Sequence, residues 1–260
     1  MAYKKDTYRF YGSNDIEIKF AGKYGAKGEK RAKKKKPTKE QIKKQNQLNR
    51  EKRIWRQLRK NFRRGDYWCT LKYPAGTRKS LQEVEKDFRN FRTRMKRVYK
   101  KAGQPFKYIY RLEIGEQGGI HIHMVLNRIP DIDITIQNQW KEGRVNYAFI
   151  YETGGMKKLA NYITKQPTEE IYEQLSLFPE EEQKKLIRYS PSRNLITPKP
   201  ETKTYKRKTL RREIEYGPTP TKGYYIDKNS IVFGTNPYTG MSYLHYTEYR
   251  TDYSEDDGDA

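Results

Sequence analysis

The chain has 260 residues, 34% hydrophobic and 34% charged, and its 56 lysines and arginines against 32 acidic residues give a formal charge of +24. That length accommodates one domain of ordinary size with extensions, and so low an apolar share excludes a chain packed throughout into one large core. The charge draws polyanions such as nucleic acid, while a single cysteine, Cys69, excludes an internal disulfide framework.

The segment from Met1 to Lys5 lacks an apolar signal core and no run of about 18 apolar residues occurs, so a soluble cytoplasmic protein with no membrane partner is expected. From Lys19 to Arg64 cations dominate, and six of the seven residues from Lys30 to Lys36 are basic. Within that stretch Thr38-Lys39-Glu40-Gln41 reads as a capping box that opens a long basic helix, which Gly65 could end. Its apolar positions gather late, at Trp55, Leu58 and Phe62, so only its last part is expected to dock on a core.

Tyr67 to Tyr73, rich in aromatic and β-branched residues and closed by Pro74 and Gly76, predicts a strand. Ser80-Leu81-Gln82-Glu83 is a second capping box, and Leu81, Val84, Phe88, Phe91, Met95 and Val98 make one apolar stripe of a helix ending near Gly103. Lys107 to Ile114 and Ile120 to Asn127 predict a hairpin around a glycine-containing loop. Asp133 to Lys141 predicts a short helix, Arg144 to Tyr151 a strand, and Met156 to Gln166 a helix stopped by Pro167. The order is β-α-β-β-α-β-α. Thr168 to Phe178 and Pro179 to Tyr189 suit two short helices, and the tyrosine-rich remainder suits a few strands before the acidic tail of Glu255 to Asp259.

His121 and His123 flank Ile122 on the second hairpin strand, and residues two apart on a strand point to one face. If Gly115 to Gly119 form a five-residue loop, Ile114 pairs with Ile120 and Glu113 with His121, its Cβ about 5 Å away. Glu113, His121 and His123 then form a donor set of one carboxylate and two imidazoles that leaves coordination positions open, as a catalytic metal site requires. Mn²⁺ or Mg²⁺ suits these ligands on a phosphate substrate, Zn²⁺ and Fe²⁺ remain compatible, and Glu116 in the loop is a weaker substitute ligand. An alternating strand also places two histidines outward for no chemical reason, which leaves a non-catalytic binding protein as the other reading.

In the helix from Met156, the residues Met156, Leu159, Ala160 and Ile163 form the buried stripe, and Tyr162 lies on its flank with Lys158 and Lys165 on its own side. A phenol is mostly protonated at neutral pH, so cations or a metal beside it would help it attack a phosphodiester.

The strand Tyr67-Trp68-Cys69-Thr70-Leu71-Lys72-Tyr73, then Glu113 with His121-Ile122-His123, then Tyr162-Ile163-Thr164-Lys165, resembles the three successive motifs of the HUH replication-initiator endonucleases of phages and plasmids. Ser192-Arg193-Asn194-Leu195 is similar to the segment that follows the tyrosine in those proteins. Lys158 stands where two-tyrosine relatives carry their second tyrosine, so the resemblance is to the single-tyrosine type. It implies an α+β fold, a central antiparallel sheet with helices on one face, similar to an RNA-recognition fold, preceded by a basic helical arm. The corresponding division is 1–65 for the arm, 66–190 for the endonuclease domain and 191–260 for a tyrosine-rich extension.

The resemblance also implies a mechanism: a divalent metal on Glu113, His121 and His123, Tyr162 as nucleophile, Lys165 neutralising phosphate charge, a covalent 5′-phosphotyrosine and a free 3′-hydroxyl that starts rolling-circle replication. Single-stranded origin DNA is the expected partner, contacted by Lys33, Lys34, Lys35, Lys36, Arg63, Arg64, Lys72 and Lys158. A host polymerase would extend the 3′ end, and a host helicase would unwind, since the chain contains no Gly-x-x-x-x-Gly-Lys-Ser/Thr run. A relaxase or a single-strand transposase would use the same chemistry for another end.

Overall fold

A computed structural model describes residues 3–22, 36–115, 118–150, 155–205 and 210–252. In chain order the elements are β1 (Tyr3–Phe10), β2 (Ser13–Phe20), α1 (Lys39–Asn61), β3 (Tyr67–Lys72), α2 (Leu81–Lys101), β4 (Tyr108–Ile114), β5 (Ile120–Leu126), α3 (Ile132–Gln139), β6 (Arg144–Phe149) and α4 (Gly155–Thr164). There follow α5 (Glu169–Ser176), α6 (Glu180–Ile187), β7 (Tyr189–Pro191), β8 (Glu201–Tyr205), α7 (Arg211–Glu215), β9 (Tyr224–Ile226), β10 (Val232–Thr235) and β11 (Ser242–Arg250). The fold is α+β with two antiparallel sheets, and from β3 to α4 it follows the expected order. Two compact units result, Asn49–Ile196 and Met1–Leu48 with Thr197–Ala260.

The unit Asn49–Ile196 holds a five-stranded sheet in the order β6-β3-β5-β4-β7, antiparallel throughout. Strand alternation divides its side chains cleanly. Cys69 and Leu71 of β3, Leu112 and Ile114 of β4, and Ile122 and Met124 of β5 meet Leu81, Val84, Phe88, Phe91 and Met95 of α2 in one buried cluster. The opposite face contributes Ile109 and Val125, which pack with Ile54 and Leu58 of α1 and with Met156, Ala160 and Ile163 of α4. Helices therefore cover both faces rather than the one face expected, because the central strands carry apolar residues on both sides and each side has to be buried.

Local signals match the elements. Ser80 and Glu83 cap α2 reciprocally. At the start of α1, the Gln41 amide N–H donates to Thr38 Oγ1 at 3.2 Å and the Thr38 N–H to Gln41 Oε1 at 2.9 Å, so both boxes form. Ile42 and Leu48 of α1 stay 45% exposed while Ile54 and Leu58 are buried. The segment after β7 is tied back by Ser192, whose Oγ accepts from the Tyr108 amide at 3.1 Å, and by Asn194, whose amide donates to the Phe106 carbonyl at 3.1 Å.

The other unit holds a sheet in the order β10-β11-β2-β1-β8, with β9 also pairing β11. The first residues were expected to belong to a basic arm; instead, Tyr3 to Phe20 form a hairpin that turns at Gly12, φ 67°, and joins strands from the far end of the chain. Tyr3, Ile16, Ile18, Leu244 and Tyr246 form its core. The buried carboxylate of Glu248 accepts from the Asn14 amide at 2.8 Å and from the Thr221 N–H at 3.0 Å, and buried Asp15 pairs with His245. Lys33, Lys34, Lys35, Glu116 and the acidic tail lie outside the described residues.

Candidate active site

The β4–β5 hairpin has the register derived from the sequence, Ile114 opposite Ile120 and Glu113 opposite His121. Alternation puts Arg111 and Glu113 of β4, His121 and His123 of β5, and Thr70 and Lys72 of β3 on the α4 side of the sheet. The helix α4 delivers Tyr162 to that face.

Four groups converge there. The Tyr162 hydroxyl donates to Glu113 Oε2 at 2.6 Å and lies 3.2 Å from His123 Nε2. Glu113 Oε2 is 2.9 Å from the same imidazole nitrogen, and Glu113 Oε1 is 2.7 Å from Lys165 Nζ. The Lys165 ammonium also sits 4.4 Å from the centre of the Tyr162 ring, where the face of the phenol attracts a cation.

Neighbours hold these groups in place. Thr70 Oγ1 lies 3.0 Å from His123 Nδ1, which fixes the ring and leaves Nε2 as the nitrogen directed at the site. Trp68 stacks on His123 with centroids 5.4 Å apart and planes at 12°, and meets Tyr162 edge-on at 82°. Arg111, only 2% exposed, donates from one Nη1 to the carbonyls of Tyr162, Ile163 and Lys165 at 3.2, 3.2 and 2.8 Å. It thereby fastens the carbonyl end of α4 to the strand that carries Glu113.

Electrostatics follows from this geometry. Burial raises the Glu113 carboxyl, but hydrogen bonds from His123, Lys165 and Tyr162 outweigh it and hold the group well below the usual carboxylate range. Burial, and then the hydrogen bond to that carboxylate, push the Tyr162 phenol well above its ordinary value. The hydroxyl is therefore a protonated donor at neutral pH and needs added positive charge to become a nucleophile. Burial lowers the His121 imidazole, with Lys72 and His123 acting in the same direction against Glu113.

Glu113 and His123 thus meet, but His121 does not complete the triad. Its ring lies over the hairpin turn, where a Cβ on residue 115 would come within 2.9 Å of His121 Nδ1; Gly115 leaves that space open. Among the described residues no three of His, Cys, Asp and Glu close on a common point. The donor chemistry nevertheless fits a divalent ion. Carboxylate and imidazole atoms 2.9 Å apart have the separation of adjacent ligands about 2.0–2.2 Å from one centre, and His121 is the next residue on the same face.

Of the expected DNA contacts, Lys36, Arg63, Arg64 and Lys158 are exposed and Lys72 is half-buried. Sequence reasoning named Thr70 only as part of a motif and missed Trp68 and Arg111 as site residues. Their signal was the two-residue alternation that places Arg111 beside Glu113, and Trp68 beside Thr70, on one face.

No helix among the described residues is long and apolar enough to cross a membrane. No curated protein and no solved structure matches the chain. The model of one family, described as replication-associated protein ORF2, matches residues 66–167, the stretch from the start of β3 to just past Lys165, and supports a role in replication.

Proposed function

We propose that the unit Asn49–Ile196 nicks single-stranded DNA through Tyr162 and so initiates rolling-circle replication. One observation carries this reading: a helix-borne phenol, Tyr162, lies within hydrogen-bond reach of Glu113 and His123, two of the three expected metal ligands. A tyrosine serving only as boundary packing has no need to meet a carboxylate, an imidazole and an ammonium at once. The match to a replication-associated family favours nicking for replication over the relaxase and transposase alternatives.

Glu113, His121 and His123 would hold a divalent cation, Mn²⁺ or Mg²⁺, which when bound supplies Lewis-acid charge at the scissile phosphate. The chain's own residues do the rest. Glu113 Oε2 already accepts the phenolic hydrogen, so the proton leaves along that bond as the Tyr162 oxygen forms its bond to phosphorus. The bond from phosphorus to the 3′ oxygen breaks, and that oxygen takes up a proton and departs as a 3′-hydroxyl able to prime a polymerase. Lys165 supplies charge where negative charge gathers on the phosphate. Trp68 and Thr70 keep the His123 ring from turning, and Arg111 keeps the end of α4 against the sheet.

The test is a library of labelled single-stranded oligonucleotides incubated with the full chain and Mn²⁺. A denaturation-resistant adduct on the Tyr162 peptide, joined through a 5′ phosphate and absent in Tyr162→Phe, supports the reading. Undiminished cleavage by that variant, or an adduct on another tyrosine, would sink it.

A further inference from the structure

The strand β6 is the outer strand of its sheet and pairs with β3 on one side. Five of its six residues are exposed. On the side away from Tyr162, alternation and the pairing of Tyr67 with Phe149 and of Cys69 with Tyr147 bring three rings together. Tyr67 lies 6.0 Å from Tyr147 at 87° and 5.1 Å from Phe149 at 51°. Phe149 is 55% and Tyr147 36% exposed, and Ile134 of the neighbouring helix α3 is 60% exposed. The Tyr147 hydroxyl donates to the Asp133 carbonyl at 2.8 Å, which fixes its ring.

Cations collect at one end of these rings. The Gly65 amide donates to the Ile150 carbonyl at 3.3 Å and the Ile150 amide to the Asp66 carbonyl at 3.0 Å, so the turn bearing Arg63 and Arg64 lies at the end of β6 beside Phe149. The Asp66 carboxylate accepts from the backbone N–H groups of Arg63 and Arg128 at 2.8 and 2.7 Å, and the Arg128 guanidinium lies over Gly65. Arg63, Arg64 and Arg128 are all exposed.

An outer strand with exposed aromatic residues is a surface that proteins ordinarily cover. A second copy of a chain with formal charge +24 is repelled, whereas a nucleic-acid strand is attracted and releases counterions as it binds. Flat rings with arginines at one end match unpaired bases with their phosphates, and duplex DNA keeps its base faces stacked inside.

We infer that Tyr67, Tyr147 and Phe149 form a stacking platform for unpaired bases of single-stranded DNA, with Arg63, Arg64 and Arg128 on the adjoining phosphates. Only in taking the strand to be DNA does this rest on the nicking function. The platform holds a part of the strand away from the scissile phosphate.

Two measurements on the full chain test it. An oligothymidylate carrying photoreactive 5-iodouracil, irradiated with the wild-type protein, should crosslink to the peptide holding Tyr147 and Phe149; crosslinks confined to other peptides would overturn the inference. The double substitution Tyr147→Ala with Phe149→Ala should weaken oligothymidylate binding roughly tenfold or more per ring, while Tyr147→Trp with Phe149→Trp restores it. Unchanged affinity in the alanine pair would overturn the platform. So would a DNA-free dimer in sedimentation that the alanine pair abolishes, since the patch would then join two copies. Crosslinking at β6 without any Tyr162 adduct would keep this surface and remove the nicking reaction; an adduct without the crosslink would do the reverse.

Discussion

Replacing Arg111 by methionine separates holding the chain together from holding the nucleophile in place. The substitution removes three hydrogen bonds from Nη1 to the end of α4, and charge-assisted bonds of this kind contribute roughly 1.5–3 kcal/mol. It also removes a buried charge whose Nε has no hydrogen-bond partner, and relief of that desolvation offsets much of the loss. The expected net destabilisation is therefore about 1–2 kcal/mol, a fall in Tm of roughly 2–4 °C for a unit of this size. Activity should suffer far more. Tyr162 is held at 2.6 Å from Glu113 by the helix end that Arg111 grips, and a drift of about 1 Å in a reacting group costs on the order of 10²-fold in rate. Single-turnover cleavage of a labelled strand should drop about that much at saturating DNA. Arg111→Lys should recover only part, since an ammonium lacks the planar fork, and added guanidinium ion should partly rescue Arg111→Ala. Cleavage that falls only in proportion to the unfolded fraction, with no rescue, would refute a positioning role.

Glu113→Ala and His123→Ala should each abolish divalent-dependent cleavage, with affinity for single-stranded DNA retained in a filter-binding assay; normal cleavage in either would remove the metal assignment. Gly115→Ala should displace the His121 ring, whose Nδ1 lies within 2.9 Å of the new Cβ, and raise the Mn²⁺ concentration needed for half-maximal cleavage, so an unchanged requirement would take His121 out of the site. Burial pushes the Asp66 carboxyl up to about 6 from 3.8, against the amides of Arg63 and Arg128 and the charges of both arginines, which lower it. An acid with a raised folded value binds its proton more tightly in the folded state, so its contribution is full below about 4 and lost as pH rises through about 6, by at most about 3 kcal/mol. Urea titrations of wild type and Asp66→Asn should converge or cross in that direction between pH 4 and 7, and a constant gap would refute it.

Much of the site was legible because its spacing is local. The imidazoles, Glu113 and the hairpin register follow from a period of two and a five-residue loop, and every pair from Ile114–Ile120 outward obeys it. The β3-to-α4 order was equally readable, because capping boxes and apolar stripes are written within single elements. The sheet of the other unit was not. β1 reads Tyr-Lys-Lys-Asp-Thr-Tyr-Arg-Phe, with one buried apolar residue, Tyr3, and a buried Asp6 that pairs with Lys19 at 3.1 Å. Its identity as a strand depends on partners such as Thr202 and Lys203, which lie some two hundred residues along the chain, and no local period reports them.

The same distinction explains why the third motif could be named from sequence while its setting could not. The helical stripe of Met156, Ala160 and Ile163 fixes which side of α4 is buried, and so leaves Tyr162 at the margin of that side. Where along the sheet the margin falls depends on Arg111, which reads as an ordinary strand cation until three carbonyls of another element are brought to it. A buried guanidinium with an unsatisfied Nε is a poor choice for stability alone. Its retention on the strand beside Glu113 is understandable if the fold gains from it the placement of one phenol oxygen between a carboxylate and an imidazole.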